Sequence, residues 1–385
     1  MHKDSILSIA LIDTTLQRMS NIVPYLVVGG GPTGLTAALE MARRGLPVHI
    51  IDDDFGPSPE SRALAIHAPT LDMLEASGVT ERLLAAGHKI RNIVVHEKGR
   101  IILALPLSDI PHRYNFILAL PQSHTEQILT DALAETGVQL GYGTRLESFS
   151  CTGNGATATL VANARRQQVA AAAVIGADGA HSIVRKQAGI SFDGESEPQQ
   201  FGLADITLDA WPWPFDTAVA ELLDDGVVGF IPMAEGFGRL ISNREHALDA
   251  TPHGASISQV GWTSSFRVSY RQVETYQRDC VYLAGDAAHI HSPAGGMGMN
   301  LGMADAATLA RLLAEGAEDQ YTRLRHAAGQ TVLKQTRGNT RAMTRRGPVT
   351  NFMIHHLAPL ALSIGPLRRR ALSGLAGLGL PATWR

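Results

Sequence analysis

The sequence predicts an α/β fold in which a core of parallel strands and helices carries a second, mostly β-sheet domain and is closed by C-terminal helices. Three observations predict it. Two apolar runs end in glycine-rich turns that lead into helices, at Tyr25 to Gly34 and at Tyr282 to Gly302; this is the strand, turn and helix order that builds Rossmann-like ligand sites. A third apolar run, from Val174, ends in Asp178-Gly179. Between these segments the chain changes to short apolar runs punctuated by turn residues, which read as antiparallel strands.

Residues 1–19 precede the first strand. The run Ile6 to Ile12 is flanked by Asp4 and Asp13 and lacks a small-residue cleavage site, so it reads as an N-terminal extension rather than a signal segment, with Met19 a candidate start. Next comes Val27-Val-Gly29-Gly-Gly31-Pro32-Thr33-Gly34-Leu35, then the helical run Thr36 to Gly45. The three glycines have the spacing that permits a tight turn, close approach of a pyrophosphate and close packing of the helix on the sheet. The following strand, Val48 to Ile51, ends in Asp52, eighteen positions beyond Gly34 and suited to an adenosine ribose. A near match to this fingerprint, Gly153-Asn-Gly155-Ala-Thr-Ala, lies between two strand-like runs and reads as a hairpin turn.

Residues 90–120 read as a β ribbon turning at Gly99, and 200–275 as strand-rich, with turns at Asp225-Gly226 and Glu235-Gly236. In the segment Gly285-Asp286-Ala-Ala-His-Ile-His-Ser-Pro293-Ala-Gly295-Gly296-Met-Gly298-Met299-Asn300, the strand delivers Asp286 where a carboxylate can accept hydrogen bonds from polyol hydroxyls. Gly295, Gly296 and Gly298 clear side chains from a helix start, whose N–H groups and positive end favour an electron-rich ligand. Ala304 to Leu313 is rich in strong helix formers, and helix is expected over about 298–345. The uncharged run His355 to Leu367 is too short, at thirteen residues, to span a bilayer. With Arg368, Arg369 and Arg370 following, it reads first as a helix packed on the body and second as a peripheral membrane contact.

At 385 residues, 45% hydrophobic and 18% charged, the chain can bury a large core, and its net charge of −3 gives no electrostatic case for nucleic acid. Cys151 and Cys280 form no CxxC pair, so neither a metal site nor a disulfide framework is expected, and a reducing cytoplasm is the default. His289 and His291 lack a third ligand at metal spacing and read as packing residues. Trp211 and Trp213 are candidate pocket or core aromatics. Ser182 reads as a helix N-cap or ligand contact, and Arg185 as a ligand contact or surface ion pair.

In their order and spacing, the motifs at Gly29, Asp178 and Asp286 resemble those of the class A flavoprotein monooxygenases, the para-hydroxybenzoate hydroxylase family. The resemblance implies FAD as cofactor and NADH or NADPH as co-substrate, with O2 reduced through a C4a-hydroperoxyflavin to hydroxylate a small aromatic, phenolic substrate. It also implies roles for Arg62 at the pyrophosphate, Gln122 at the ribose or flavin side, Asp178 between FAD and the nicotinamide path, and the Pro293 carbonyl facing the substrate. The flavin ring would lie near Pro293 to Asn300. A discontinuous FAD-binding domain is implied at residues 20–90, 121–195 and 276–345, a substrate-binding sheet domain at 91–120 and 196–275, and a helical segment at 346–385. Asp53 and Asp54 stand where relatives carry a base, and Met297 where many carry glutamine. No catalytic base is identified. A flavoprotein oxidase or reductase, a halogenase of the same fold suggested by Trp211-Pro-Trp213-Pro, and a non-enzymatic FAD-binding protein are the alternative readings.

Overall fold

The computed structural model describes residues 24–57, 63–153, 155–344 and 347–385. The expectations for residues 1–19 and for Arg62 lie outside the described residues. Strand β1 (Tyr25–Val28) is apolar on both faces, as a strand covered by helices on both sides must be. It runs parallel to β2 (Val48–Ile51) on one side and to β3 (Val174–Gly176) on the other. β3 runs parallel in turn to β4 (Val281–Leu283), and Gln277–Arg278 and Leu140–Gly141 complete a six-stranded sheet.

Because the chain leaves β1 toward β2 and later returns to β3 on the opposite side, strand order reverses next to β1. That reversal opens a crevice at the carboxyl ends of the strands. Helix α1 (Pro32–Arg43) packs on the sheet beside α2 (Gln122–Glu135), and Leu26, Val27, Leu35, Ile50, Val174 and Leu283 are buried in the shared core. Each such side chain contributes about 1.5–3 kcal/mol on full burial. The short α3 (Ile183–Gln187), the long α4 (Met297–Glu315) and α5 (Tyr321–Thr344) complete this body, followed by α6 (Gly365–Leu375).

The ribbon Asn92–Glu97 and Arg100–Pro106 joins the five strands of 193–272 and the short strand His289–Ile290 in one eight-stranded sheet, through the parallel pair Asn92–Glu97 and Thr217–Leu223. The ribbon ends earlier than the sequence suggests. Ile117–Ala119 instead pairs with Ala65–Ile66 and His88–Ile90 in a small separate sheet. Gly153 to Gly155 does connect two antiparallel strands, Thr144–Thr152 and Gly155–Ala162.

Three expectations change, and for Trp211 the core alternative is the one realised. Cys151 and Cys280 are joined in a disulfide with Cα atoms 5.7 Å apart, which removes the cysteine-based argument for a reducing compartment. Spacing rules are blind to a pair 129 residues apart that meets through tertiary packing. Arg185 is buried: its guanidinium donates to the Ala287 and Ala180 carbonyls and lies 4.0 Å from the Phe192 ring centre. Trp211 packs on Phe230, 4.6 Å between ring centres, in an apolar cluster with Val228 and Leu240, and Trp213 lies by His96. Finally, 352–367 is helical on both sides of an extended break at Ile364, yet it holds six of the exposed large apolar side chains instead of burying them. Among the described residues, no helix is long and apolar enough to cross a membrane.

Candidate functional site

Gly29 follows β1, Asp52 follows β2, Asp178 lies two residues beyond β3, and Gly285-Asp286 lies just beyond β4. Adjacent parallel strands are in register at these ends, with Val28 opposite both Gly176 and Ile51, and Gly176 opposite Leu283. The sheet therefore gathers motifs from positions 29, 52, 178 and 286 at one edge.

Backbone packing at this edge tolerates no side chains. A Cβ on Gly34 would lie 1.9 Å from the Gly29 carbonyl oxygen, and one on Gly29, whose φ is +110°, would lie 2.3 Å from that of Ala177. Thr33 extends the same logic to the third motif. Its Oγ1 fills a notch between α1 and the Gly285 turn, lying 2.6 Å from where a Gly285 Cβ would stand and 2.4 Å from a Gly302 Cβ.

Both helix starts at the crevice lack side-chain caps. Helix α1 begins after Gly31 with Pro32 in its first turn, and α4 begins after Gly296, which is left-handed at φ +62°. Uncapped N–H groups at two helix N-termini are the donors that a pyrophosphate and the electron-rich edge of a reduced flavin require. The residues present therefore fit a dinucleotide cofactor.

Other predicted site residues are engaged with the protein itself. Asp52 accepts from the Gly30 N–H and, at 2.8 Å, from the Asp54 N–H, so the acid after β2 also shapes the first glycine turn. Asp178 accepts from Ser182 Oγ at 2.6 Å and from the Ile183 and Val184 N–H groups, while Ser182 Oγ caps Arg185 N–H at 2.9 Å. Burial nevertheless holds the Asp178 carboxyl above its usual range. The Asn300 amide donates to the Ala65 and Gly296 carbonyls and accepts from His67 N–H and Thr70 Oγ1, stapling the α4 start to residues 65–70. Gly296 N–H donates to the Pro293 carbonyl at 2.8 Å, so that carbonyl closes the turn. Gln122 donates to Glu126 Oε1 at 2.8 Å and accepts from Ala63 N–H at 3.3 Å. Asp286 is exposed at its turn, Gly298 lies next to His291 and Met299 is half-buried.

The structure adds residues that spacing did not reveal. Asp305 of α4, fully buried, accepts from Gly285 N–H at 3.0 Å, pairs with His289 Nε2 at 2.6 Å and accepts from Arg325 Nε at 2.6 Å. Burial alone would raise the Asp305 carboxyl, but the Arg325 and His289 charges outweigh it and hold it below its ordinary range. The turn carrying Asp286 is thus fixed from behind by an ion-paired carboxylate. Glu126 lies beneath Gly31, and burial, with Asp52 and Asp54 nearby, pushes its carboxyl upward. His67 is buried and His291 half-buried, and desolvation pushes both down to about 4, so both imidazoles are neutral near pH 7.

On the eight-stranded sheet, Ile93, Leu105, Ala218, Ile231 and Phe237 pack with Leu64 and Ala119 of the α/β body and with Leu107 at the end of the ribbon. By strand alternation Arg239 shares the face of Phe237. It is fully buried, binds Asp205 through Nε at 2.6 Å and a terminal nitrogen at 2.8 Å, and lies 5.0 Å from the Trp262 ring centre. No group of three or more His, Cys, Asp or Glu side chains suited to a metal occurs among the described residues.

Comparison with known proteins accords with this geometry. A family model described as FAD binding domain matches residues 23–241 and 239–336. The chain is 32% identical to 6-methylpretetramide 4-monooxygenase of Streptomyces rimosus, over 92% of this chain and 69% of the relative. It is 34% identical to pentachlorophenol 4-monooxygenase of Sphingobium chlorophenolicum, over 74% of this chain and 56% of the relative. Among solved structures, p-nitrophenol 4-monooxygenase PnpA from Pseudomonas putida DLL-E4 superimposes with a TM-score of 0.85 at 22% identity, covering 93% of this chain and 98% of that one, which shows a shared fold.

Proposed function

Because the chain belongs to the FAD binding domain family and is a flavoprotein monooxygenase of the aromatic hydroxylase type, we propose that it uses NADH or NADPH and O2 to hydroxylate a small aromatic, phenolic compound. The observation that carries the proposal is the convergence of Gly29, Asp52, Asp178 and Asp286 at the carboxyl ends of four neighbouring parallel strands, between two uncapped helix starts. FAD, when bound, would supply the redox chemistry: hydride acceptance from the nicotinamide and transfer of one atom of O2 to the ring, the other leaving as water.

The chain's own residues supply position and electrostatics. The N–H groups of Thr33 and Gly34, with Gly29 and Gly31 clearing space, bind the pyrophosphate; Pro32 holds the first turn of α1. Asp52 binds the adenosine ribose and Asp286 the polyol chain. The amides around Gly296 and Gly298, at an uncapped helix start, would stabilise negative charge on the flavin. Asn300 and Asp305 hold those turns in place. The substrate lies between the Pro293 to Gly298 turn and the sheet face of Ile231, Phe237 and Arg239. The Arg239 charge is met by Asp205, so that face favours an uncharged ring over an isolated anion.

The test is a screen of aromatic compounds for ligand-stimulated oxidation of NADH or NADPH, with mass analysis for the gain of one oxygen. If reduction never depends on an aromatic ligand and no oxygenated product forms, the hydroxylase proposal fails. Stoichiometric peroxide without product indicates an oxidase or reductase, and a flavin that neither nucleotide bleaches indicates a binding protein. Asp286→Ala tests the site separately. Loss of a carboxylate acceptor for the polyol hydroxyls should weaken FAD binding by about tenfold or more, and unchanged affinity overturns the role given to Asp286.

A further inference from the structure

Residues 321–385 carry eleven lysines and arginines and no aspartate or glutamate, in a chain whose net charge is −3. Within that acid-free stretch the exposed apolar side chains are ordered. Met353, Leu357, Leu360, Ile364 and Leu367 recur every three or four residues through consecutive helical segments, each 46% to 64% exposed, and Phe352 adds an aromatic ring at one end. Met353, Leu357 and Leu360 follow one another along a continuous helical stretch, and Ile364, in the extended break after it, and Leu367, in the first turn of α6, continue the exposed apolar run. At the other end Arg368 is taken by Asp109, whereas Arg369 and Arg370 are exposed, with no ion pair among the described residues. Exposed Arg341 precedes the stripe.

We propose that this surface docks the protein on an anionic lipid bilayer, with the apolar stripe entering the headgroup boundary and the arginines meeting lipid phosphates. An apolar stripe bordered by cations, whose two adjoining acids, Asp109 and Glu97, are engaged by Arg368 and His355, has the composition of an interfacial helix. Charge selects this occupant over a second copy: a two-fold contact through this surface would set arginines of one acid-free segment against those of its mate. The apolar side chains in turn distinguish it from a surface built for nucleic-acid phosphates. The segment is also well placed for delivery. Leu372 and Leu375 of α6, with Leu378 beyond it, pack in the same cluster as Ile93, Leu105 and Ile231, so the inner side of the docking segment backs the sheet face described above.

The full-length, flavin-loaded protein is sedimented with vesicles of phosphatidylcholine alone, or with one-third phosphatidylglycerol, at about 0.05 M and about 0.5 M salt. The docking surface should give binding to the anionic vesicles, about tenfold weaker on neutral vesicles and weakened again by salt. Leu360→Asp with Ile364→Asp, and separately Arg369→Glu with Arg370→Glu, should each lower anionic-vesicle binding by about tenfold or more while leaving flavin content and Tm unchanged. Absent binding, equal binding to the two vesicle types, or binding indifferent to both double variants overturns the proposal. It also falls if sedimentation equilibrium shows a dimer that Leu360→Asp with Ile364→Asp dissociates, or if only an acidic protein or a nucleic acid is retained.

Discussion

Replacing Asp305 by alanine removes a carboxylate that three elements share: the Gly285 turn, His289 and helix α5 through Arg325. Arg325 is 1% exposed and keeps two weaker contacts, to Thr383 Oγ1 at 3.1 Å and the Leu301 carbonyl at 3.4 Å, neither of which carries charge. Leaving a buried guanidinium without its counter-ion costs about 3–5 kcal/mol. Unfolding entropy of about 2.1 cal/mol/K per residue gives about 0.8 kcal/mol per degree for a chain of this length, so Tm should fall by about 4–6 °C. Differential scanning calorimetry of the deflavinated protein measures this apart from the stabilisation that bound FAD adds by mass action. Because the folded carboxyl titrates below its ordinary range, its contribution is complete above about pH 4 and fades as pH falls through the folded value. The deficit of the variant should therefore be constant from pH 5 to 8, by about the same margin. FAD should bind about fivefold more weakly, through loss of the Gly285 N–H anchor. Asp305→Asn, which keeps an acceptor but no charge, should fall between the two. An alanine variant with Tm within about 1 °C of the parent and unaltered FAD affinity would refute the account of this network.

Gly34→Ala should yield no soluble flavin-loaded protein, because its Cβ would stand 1.9 Å from a backbone oxygen; a yellow, normally melting variant contradicts that packing. His67→Leu should flatten the acid limb of apo-protein stability. The buried imidazole stays neutral down to about pH 4, whereas the unfolded one gains its proton below about 6.5, so stability on the order of 2–3 kcal/mol is lost as pH falls through that window. If the wild-type and variant acid limbs superimpose, His67 is not the group responsible. Cys151→Ser should lower stability by about 4–5 kcal/mol on the chain-entropy account for a loop of this size. Thiol titration of the denatured wild type should find free cysteines only after reduction; two free thiols without reductant would deny the bond.

How much of this was legible in the chain depended on how local each signal is. The glycine turn of Gly29 to Gly34, Asp52 and the Asp286 segment could be read because a turn, a helix start and a strand end each lie within a few residues, and sterics limit which residue types can occupy them. Asp305 and Arg325 could not, since an acid in an Ala-rich helix and an arginine in a basic one look like solvated charges until two helices bury them together. Asn300 and Asp178 show an intermediate case: their positions were readable, but their hydrogen bonds to His67, Thr70, Ser182 and Ile183 depend on loop packing. The outward stripe from Met353 to Leu367 had a helical period in the sequence, yet period alone does not say whether an apolar face meets the body or solvent.

The sequence by itself determined the strand–turn–helix units, the order of the motifs and hence the cofactor class, because these follow from local sterics and from the alternation of apolar and turn residues. Tertiary structure decided which strands became neighbours, and so the crevice at the reversal of strand order, the Cys151–Cys280 bond and the burial of Arg185, Arg239 and Arg325. The physical reason is that pairing and burial depend on the free energy of the whole packed chain, where a charge distant in sequence can be the nearest neighbour in space.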